Sequence, residues 1–180
     1  MSRSINSTKP AKRGKPLTLV ITGTPGTGKT QLAQFLKKKM KFHVLEEKSL
    51  IQKHGIGTWD KEMNEWDVDV QHLKKAILQE LKKIKKSTLI VGHLSCEISL
   101  PVNGVIVLKT PVKELEKRLR ARKYSEVKIQ DNLFCEETKY VEIRVRKHYA
   151  GKPIRVISTG RPKKVVNDTI GAWIKAHIRT

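Results

Sequence analysis

The chain has 180 residues, of which 38% are hydrophobic and 31% charged, a composition typical of a soluble globular protein of one domain. No apolar run approaches the roughly 20 residues that span a bilayer, and residues 1–16 lack the apolar core of a signal peptide. Cys96 and Cys135 lie in different segments and match neither a zinc-binding spacing nor a disulfide framework. We therefore expect a cytoplasmic protein without a membrane span.

The balance of charge is unusual, because 38 Lys and Arg against 17 Asp and Glu give a formal net charge of +21. Such an excess attracts a polyanion such as RNA, but lysine-rich surfaces also accompany thermophilic adaptation, and composition leaves both interpretations open. The segment 46–69 is the exception, with seven acidic residues against three lysines. Its acids are Glu46, Glu47, Asp60, Glu62, Glu65, Asp67 and Asp69.

The N-terminal segment, residues 1–16, is basic and almost devoid of apolar side chains, which predicts a disordered arm. The β-branched run Leu17–Thr22 then predicts a strand that ends at a glycine-rich loop. Lys29–Met40 follows with apolar residues at helical spacing. The order is therefore strand, loop and helix.

Short apolar runs and longer amphipathic patterns alternate along the rest of the chain. The further predicted strands are Phe42–Leu45, Thr88–Val91, Val105–Leu108 and Ile154–Ile157. The further predicted helices are Val68–Ile84, Pro111–Arg122, Val127–His148 and Val165–Ile178, with Thr110 as the cap and Pro111 as the first helical residue. This alternation predicts an α/β domain over residues 17–180, with a five-stranded parallel sheet covered by helices on both faces.

The loop after the first strand has the Gly-x-x-x-x-Gly-Lys-Thr spacing of a phosphate-binding loop (P-loop). Its residues are Gly23, Thr24, Pro25, Gly26, Thr27, Gly28, Lys29 and Thr30. Glycines at this spacing let successive amides and the N-terminus of the next helix face the phosphates of ATP. In such a loop Lys29 reaches the β- and γ-phosphates, and the Thr30 hydroxyl ligates Mg²⁺.

Arg118 and Arg122 are four residues apart, so they lie on one face of a predicted helix. Guanidinium groups near a migrating phosphoryl group would stabilise its charge, but a solvated basic helix end fits the spacing equally well. His93, after a predicted strand, is open between a functional role and ordinary hydrogen bonding. Residues 138–164 hold nine basic residues and one acid, Glu142, and are either an RNA-facing surface or a solvated one.

Three stretches together resemble the adenylate kinase isoenzyme 6 family, the small kinase-ATPases of archaea and eukaryotic nuclei. They are the P-loop, the tract Val91-Gly92-His93-Leu94-Ser95-Cys96-Glu97, and the run of Arg118, Leu119, Arg122, Tyr124, Lys128, Asn132 and Glu136. The resemblance covers about residues 17–148 and continues loosely to the last helix. It implies a P-loop fold of the nucleoside monophosphate kinase type, with an NMP-binding excursion at 46–69 and a lid at 122–134.

The resemblance also implies a reaction, in which the γ-phosphate of ATP is transferred to AMP with Mg²⁺, beside a slower ATPase activity. Lys29, His93, Arg118 and Arg122 would be the catalytic residues, with Arg118 also binding nucleotide. Family members act in maturation of the small ribosomal subunit, so ribosomal protein uS11 and small-subunit rRNA are expected partners of a monomer or weak dimer. A nucleotide-gated assembly factor with little AMP kinase activity, and a kinase for another small metabolite, stay open.

Three positions depart from the family pattern. Val91 stands where the family usually has the aspartate that ends the third strand, and Glu97 is the nearest carboxylate in that tract. Lys123 replaces the glycine before the lid tyrosine. Trp59 and Trp66 stand where the family has tyrosines, and either packing within the excursion or stacking on adenine would suit them.

Overall fold

The computed structural model describes residues 15–61 and 65–177. Residues 1–14 of the predicted basic arm, residues 62–64 of the predicted excursion and Ile178 of the last predicted helix lie outside these ranges. The strands are β1 (Thr18–Thr22), β2 (His43–Glu46), β3 (Thr58–Asp60), β4 (Glu65–Asp67), β5 (Thr88–Val91), β6 (Gly104–Lys109) and β7 (Ile154–Ser158). The helices are α1 (Lys29–Met40), α2 (Glu47–His54), α3 (Val70–Lys83), α4 (Val112–Ala121), α5 (Glu126–Glu137), α6 (Tyr140–His148) and α7 (Lys163–His177), with a 3-10 turn at Leu94–Glu97.

The predicted five-stranded parallel sheet is confirmed, with strand order β2-β5-β1-β6-β7. β1 lies at the centre, where Val20 pairs in register with Ile90 of β5 and Val105 of β6. All five strands run in the same direction, so their carboxyl ends meet at one edge of the sheet. The P-loop follows β1 at this edge, beside the ends of β2, β5 and β6.

Helices cover both faces of the sheet, as the alternation of elements predicts. On one face α1 and α7 pack through Leu32, Leu36, Ile170 and Trp173 against residues of β1 and β6. On the other face α3 and α6 pack through Leu73, Ile77, Val141 and Val145. α4 and α5 form a separate apolar cluster of Leu115, Leu119, Ile129 and Leu133, which lies beside the carboxyl edge and carries the predicted lid.

The single helix predicted over Val127–His148 is wrong, because the chain forms two helices there, α5 and α6. Lys139 separates them in the left-handed conformation, with φ of 57°. The Thr138 hydroxyl donates to the carbonyl of Phe134 at 2.8 Å and so satisfies an acceptor at the end of α5. Neither Gly nor Pro marks this break, which is why the apolar spacing runs through it.

The helix starts of α3, α4, α5 and α7 also differ from the prediction by one or two residues. Pro111 is the cap of α4, with ψ of 132°, and is not its first helical residue; Thr110 is not the cap. α3 begins at Val70 because the Asp69 side chain caps it by accepting from the backbone N–H groups of Gln71 and His72.

The segment 46–69 folds into α2 followed by a short antiparallel hairpin of β3 and β4. Trp59 and Trp66 pair across the hairpin with ring centroids 5.7 Å apart in an edge-to-face arrangement. Trp66 packs against the core, whereas Trp59 is 46% exposed. Packing therefore accounts for Trp66 and for one face of Trp59.

None of the described helices is long and apolar enough to cross a membrane. Within the same residues Cys96 and Cys135 are both free thiols, Cys96 buried and Cys135 partly so.

Candidate nucleotide site

The P-loop is tightly folded against β6, and its glycines make that fold possible. Gly23, Gly26 and Gly28 all have positive φ, at 145°, 92° and 94°. A Cβ on Gly23 would lie 2.4 Å from the backbone oxygen of Leu108, a contact that no other residue could make. Thr27 closes the turn by donating from its hydroxyl to the carbonyl of Thr24 at 2.8 Å.

Lys29 lies over this loop at the start of α1. Its ammonium Nζ donates to the carbonyl of Gly23 at 2.6 Å and to that of Thr24 at 3.1 Å. Loss of solvation lowers the pKa of Lys29 to about 8, while the Glu47 carboxylate raises that pKa and the Arg122 guanidinium lowers it. The amine therefore remains mostly protonated at neutral pH, at the place where an anion would approach the loop.

A buried carboxylate from α5 anchors the P-loop. Glu136 is 7% exposed, accepts from the Thr24 hydroxyl at 2.6 Å and accepts from the backbone N–H of Thr110 at 2.7 Å. One side chain thus joins the P-loop, the connection between β6 and α4, and α5, the helix that forms most of the predicted lid. Neighbouring charge on Glu136 also raises the pKa of Lys29 slightly.

Arg118 lies on the side of the P-loop that faces α7. Its guanidinium donates to the carbonyl of Gly26 at 3.4 Å and to the carbonyl of Thr159 at 3.2 Å, and it pairs with Glu114 on its own helix at 3.1 Å. It borders a cavity of about 450 Å³, which is large enough for a nucleoside. The cavity is also lined by Thr30, Gln31, Arg161 and Asn167.

Arg122 is exposed at the end of α4. Its positive charge lowers the pKa of the Lys29 amine. The spacing predicts one helical face for Arg118 and Arg122, but the two side chains have different surroundings. Arg118 is held beside the cavity by its hydrogen bonds to Gly26 and Thr159, whereas Arg122 acts on Lys29 through its charge.

The fold and the site together can be compared with known proteins. A family model described as an AAA domain matches residues 19–139. A Pyrococcus furiosus protein named "Putative adenylate kinase" is 33% identical over 153 residues, 84% of this chain and 81% of that protein. A Dictyostelium discoideum protein named adenylate kinase isoenzyme 6 homolog is 33% identical over 143 residues, 77% of this chain and 78% of that protein. The chain belongs to the adenylate kinase isoenzyme 6 family.

Solved structures support the fold assignment. A shikimate kinase from Acinetobacter baumannii in complex with shikimate superposes with a TM-score of 0.63 at 19% identity, covering 89% of this chain and 94% of that one. This chain thus has a P-loop fold, with the sheet and helices arranged as in that kinase.

His93 of this family member lies at the mouth of the site, directly after β5 and Gly92. Loss of solvation and the positive charges of Lys29 and Lys128 lower the pKa of the His93 imidazole, while the Glu47 carboxylate raises it. The net shift is downward, so the ring is neutral at pH 7 and can accept a proton.

Glu47 is a further candidate site residue, which the sequence analysis did not single out. It is the first residue of α2, is only 2% exposed, and reaches across from the end of β2 to the turn after β5. There it accepts from the backbone N–H of Leu94 at 2.9 Å and of Ser95 at 2.7 Å. The one available signal was its position after a strand, since strand ends of a parallel sheet gather at the ligand-binding edge.

Glu97, the carboxylate that stands nearest to His93 in sequence, is directed elsewhere. It accepts from Nε of Arg144 at 2.7 Å and also bonds Tyr140, and the arginine lowers the pKa of the Glu97 carboxyl against its burial. Val91 is buried at the end of β5 and offers no ligand. Among residues 15–61 and 65–177 no three His, Cys, Asp or Glu side chains cluster as a metal site.

The oxygens at the site nevertheless fit Mg²⁺ bound to a nucleotide. That ion usually keeps several waters and takes one or two protein oxygens besides the phosphates. Thr30 presents an exposed hydroxyl at the N-terminal end of α1, and the Glu47 carboxylate lies close enough to Lys29 to shift the pKa of its amine.

The predicted lid, residues 122–134, consists of a short turn and most of α5. Lys123 adopts φ of 58° in this turn, a left-handed conformation that favours the glycine usual for the family. Tyr124 packs on the apolar cluster of α4 and α5, and the ammonium of Lys128 lies 5.4 Å from its ring centroid. The turn is therefore shaped by packing and by a cation on an aromatic face.

Proposed function

We propose that this protein transfers the γ-phosphoryl group of ATP to AMP with Mg²⁺ and hydrolyses ATP more slowly when no acceptor is bound. The observation that carries this proposal is the position of Lys29, held by two P-loop carbonyls with the charge of Arg122 close by. Membership of a family that includes adenylate kinase homologues supports AMP as the acceptor.

In this mechanism the ATP phosphates take the place of the two carbonyls as partners of Lys29. The P-loop N–H groups and the amine hold the β- and γ-phosphates, and Arg118 positions the nucleoside in the cavity beside α7. Mg²⁺ at Thr30 would neutralise phosphate charge when bound. Arg122 stabilises the charge on the phosphoryl group as its bond to the β-phosphate oxygen breaks and a bond to an AMP phosphate oxygen forms.

AMP would enter from the side of the segment 46–69, which forms α2 and the β3–β4 hairpin. In its absence a water molecule can take the acceptor position. His93 is neutral at the mouth of the site and would accept the proton of that water, which gives the slower ATPase reaction.

The test is to follow ADP and inorganic phosphate separately with ATP alone and with ATP plus AMP. We expect AMP to accelerate ATP consumption several-fold, with two ADP formed for each ATP consumed and little phosphate released. If AMP leaves the rate unchanged while CMP, UMP or a non-nucleotide acceptor raises it, the protein is a kinase for another metabolite. If only phosphate is formed under all conditions, the kinase proposal is contradicted.

A second candidate function, a nucleotide-gated factor that binds ribosomal protein uS11 and small-subunit rRNA, is favoured by one surface. Of the nine basic residues in 138–164, eight are exposed, and Arg144 alone is partly covered by its pairing with Glu97. The exposed eight are Lys139, Arg146, Lys147, Lys152, Arg155, Arg161, Lys163 and Lys164. Tyr140, which follows Lys139 in the chain, and Phe134 in α5 are also exposed and could stack on unpaired bases.

Binding of an rRNA fragment, measured by fluorescence anisotropy between 50 and 200 mM salt, tests this candidate. We expect a steep loss of affinity with salt and a shallower slope for the triple variant Lys139→Ala, Lys147→Ala and Lys152→Ala, because fewer counterions are released. Lys37→Ala, Lys38→Ala and Lys39→Ala at the end of α1 is the matched control. Equal effects of both triple variants would contradict a specific RNA-binding surface. Equal capture of uS11 with and without ATP would contradict gating by nucleotide.

A further inference from the structure

Three residues, Val91, Gly92 and Glu47, pack together at the end of β5. Val91 fills the core at the strand end, Gly92 follows it, and the Glu47 carboxylate lies directly against Gly92. A Cβ on Gly92 would lie 1.8 Å from Oε2 of Glu47, so any other residue here would displace this carboxylate from its present position. An acid from the first position of α2, directly after the neighbouring strand β2, thus lies beside the end of β5.

The hydrogen bonds of Glu47 fix its orientation without using all of its acceptor capacity. Oε1 accepts from the backbone N–H and the hydroxyl of Ser95, and Oε2 accepts from the backbone N–H of Leu94. A carboxylate offers about four acceptor positions, so one position remains on Oε2, the oxygen that faces Gly92. This arrangement holds a buried carboxylate still and leaves it one further partner.

The surroundings of Glu47 belong to the nucleotide site. The carboxylate raises the pKa of Lys29 and of His93, opposing the loss of solvation at both groups, and among the charges acting on each it has the largest effect. The backbone N–H of Gly92, against which Glu47 lies, donates to the carbonyl of Ile21 at 3.2 Å, so Glu47 is next to the end of β1 that leads into the P-loop. A P-loop site requires a carboxylate in this region, because Mg²⁺ is held by the loop hydroxyl and by a strand-end acid.

We propose that Glu47 supplies the carboxylate that holds the magnesium of MgATP, directly or through a metal-bound water, with Thr30 as the hydroxyl ligand. The proposal rests on the proposed use of MgATP but does not depend on AMP as the acceptor. Val91 and Gly92 then fit this role of Glu47, because Val91 provides no carboxylate at the end of β5 and Gly92 leaves space for the carboxylate of Glu47.

The test compares ATP affinity with and without Mg²⁺ by calorimetry in the absence of AMP, and adds Mn²⁺ spectroscopy of the ATP complex. For Glu47→Gln we expect metal-free ATP affinity within about twofold of the parent chain and a loss of about tenfold in the enhancement by Mg²⁺. Glu46→Gln, the adjacent acid at the end of β2, should leave both quantities unchanged. Introducing Val91→Asp into Glu47→Gln should restore part of the metal enhancement.

An unchanged Mg²⁺ enhancement in Glu47→Gln overturns the proposal, as does an equal loss of ATP affinity with and without metal, which would mean that Glu47 only fixes the turn. If Glu47→Gln does not fold, Glu47→Asp decides, because it keeps the charge but withdraws it by one methylene. A weaker Mg²⁺ enhancement then supports the proposal and an unaltered one contradicts it. Metal-dependent binding without stimulation by AMP would reject the kinase function alone.

Discussion

Replacing Lys29 by alanine is expected to lower AMP-dependent ATP turnover by about 100- to 1,000-fold, the effect of removing one fixed donor from a developing charge. The amine is already positioned in the free protein by the carbonyls of Gly23 and Thr24. Loss of solvation lowers the pKa of Lys29 to about 8, which is a cost of holding the charged form at this place. The thermal midpoint should therefore stay unchanged or rise while activity is lost.

The measurement is kcat/KM for ATP at saturating AMP, together with a melting curve of each variant. Lys38→Ala, on the exposed face of the same helix, removes the same charge away from the loop and should retain full activity. If Lys29→Ala keeps half of the parental rate, the amine does not act in phosphoryl transfer.

Glu136→Ala should produce the largest loss of stability, about 2–4 kcal/mol in the free energy of unfolding. The change leaves the hydroxyl of Thr24 and the N–H of Thr110 buried without the acceptor that they share. Glu136→Gln should cost much less, because its carbonyl can accept from Thr110 while its amide group donates to the Thr24 oxygen. The variant that loses more stability should also lose more ATP affinity, because Thr24 belongs to the P-loop.

Urea unfolding of the three chains gives these free energies directly, and Glu137→Ala provides the control. Glu137 is the next residue of α5 and is exposed, so its loss should change stability by less than about 0.5 kcal/mol. A Glu136→Ala variant as stable as Glu137→Ala would mean that water replaces the carboxylate at both donors.

Local patterns predicted the strands and the P-loop because both leave a signal within a few consecutive residues. The β-branched run Leu17–Thr22 predicts the first strand, and the helical spacing of apolar residues after Gly28 predicts the first helix. The glycines of the P-loop indicate where the backbone has positive φ. The break between α5 and α6 was missed because Lys139 adopts a conformation that its residue type does not announce. The start of α4 was misplaced by one residue for a similar reason, since Pro111 suits both a cap and a first turn.

The site was harder to predict because its key contacts join distant parts of the chain. Glu136 meets Thr24 across 112 residues, and Glu47 meets Ser95 across 48. Glu97 was the nearer carboxylate in sequence, but α6 brings Arg144 to it and removes it from the site. The spacing of Arg118 and Arg122 predicts a common helix face, which stays a prediction, and it gives no sign that the carbonyl of Thr159, after β7, accepts from Arg118.

Lysine occupies every left-handed position that is not glycine in the described part of the chain, namely Lys41, Lys123 and Lys139. Each follows or precedes a helix end, where glycine would relieve roughly 1 kcal/mol of backbone strain. Natural variation that favours stability would convert such sites to glycine and lower the net charge. At these three turns the chain therefore carries positive charge at the expense of local backbone stability.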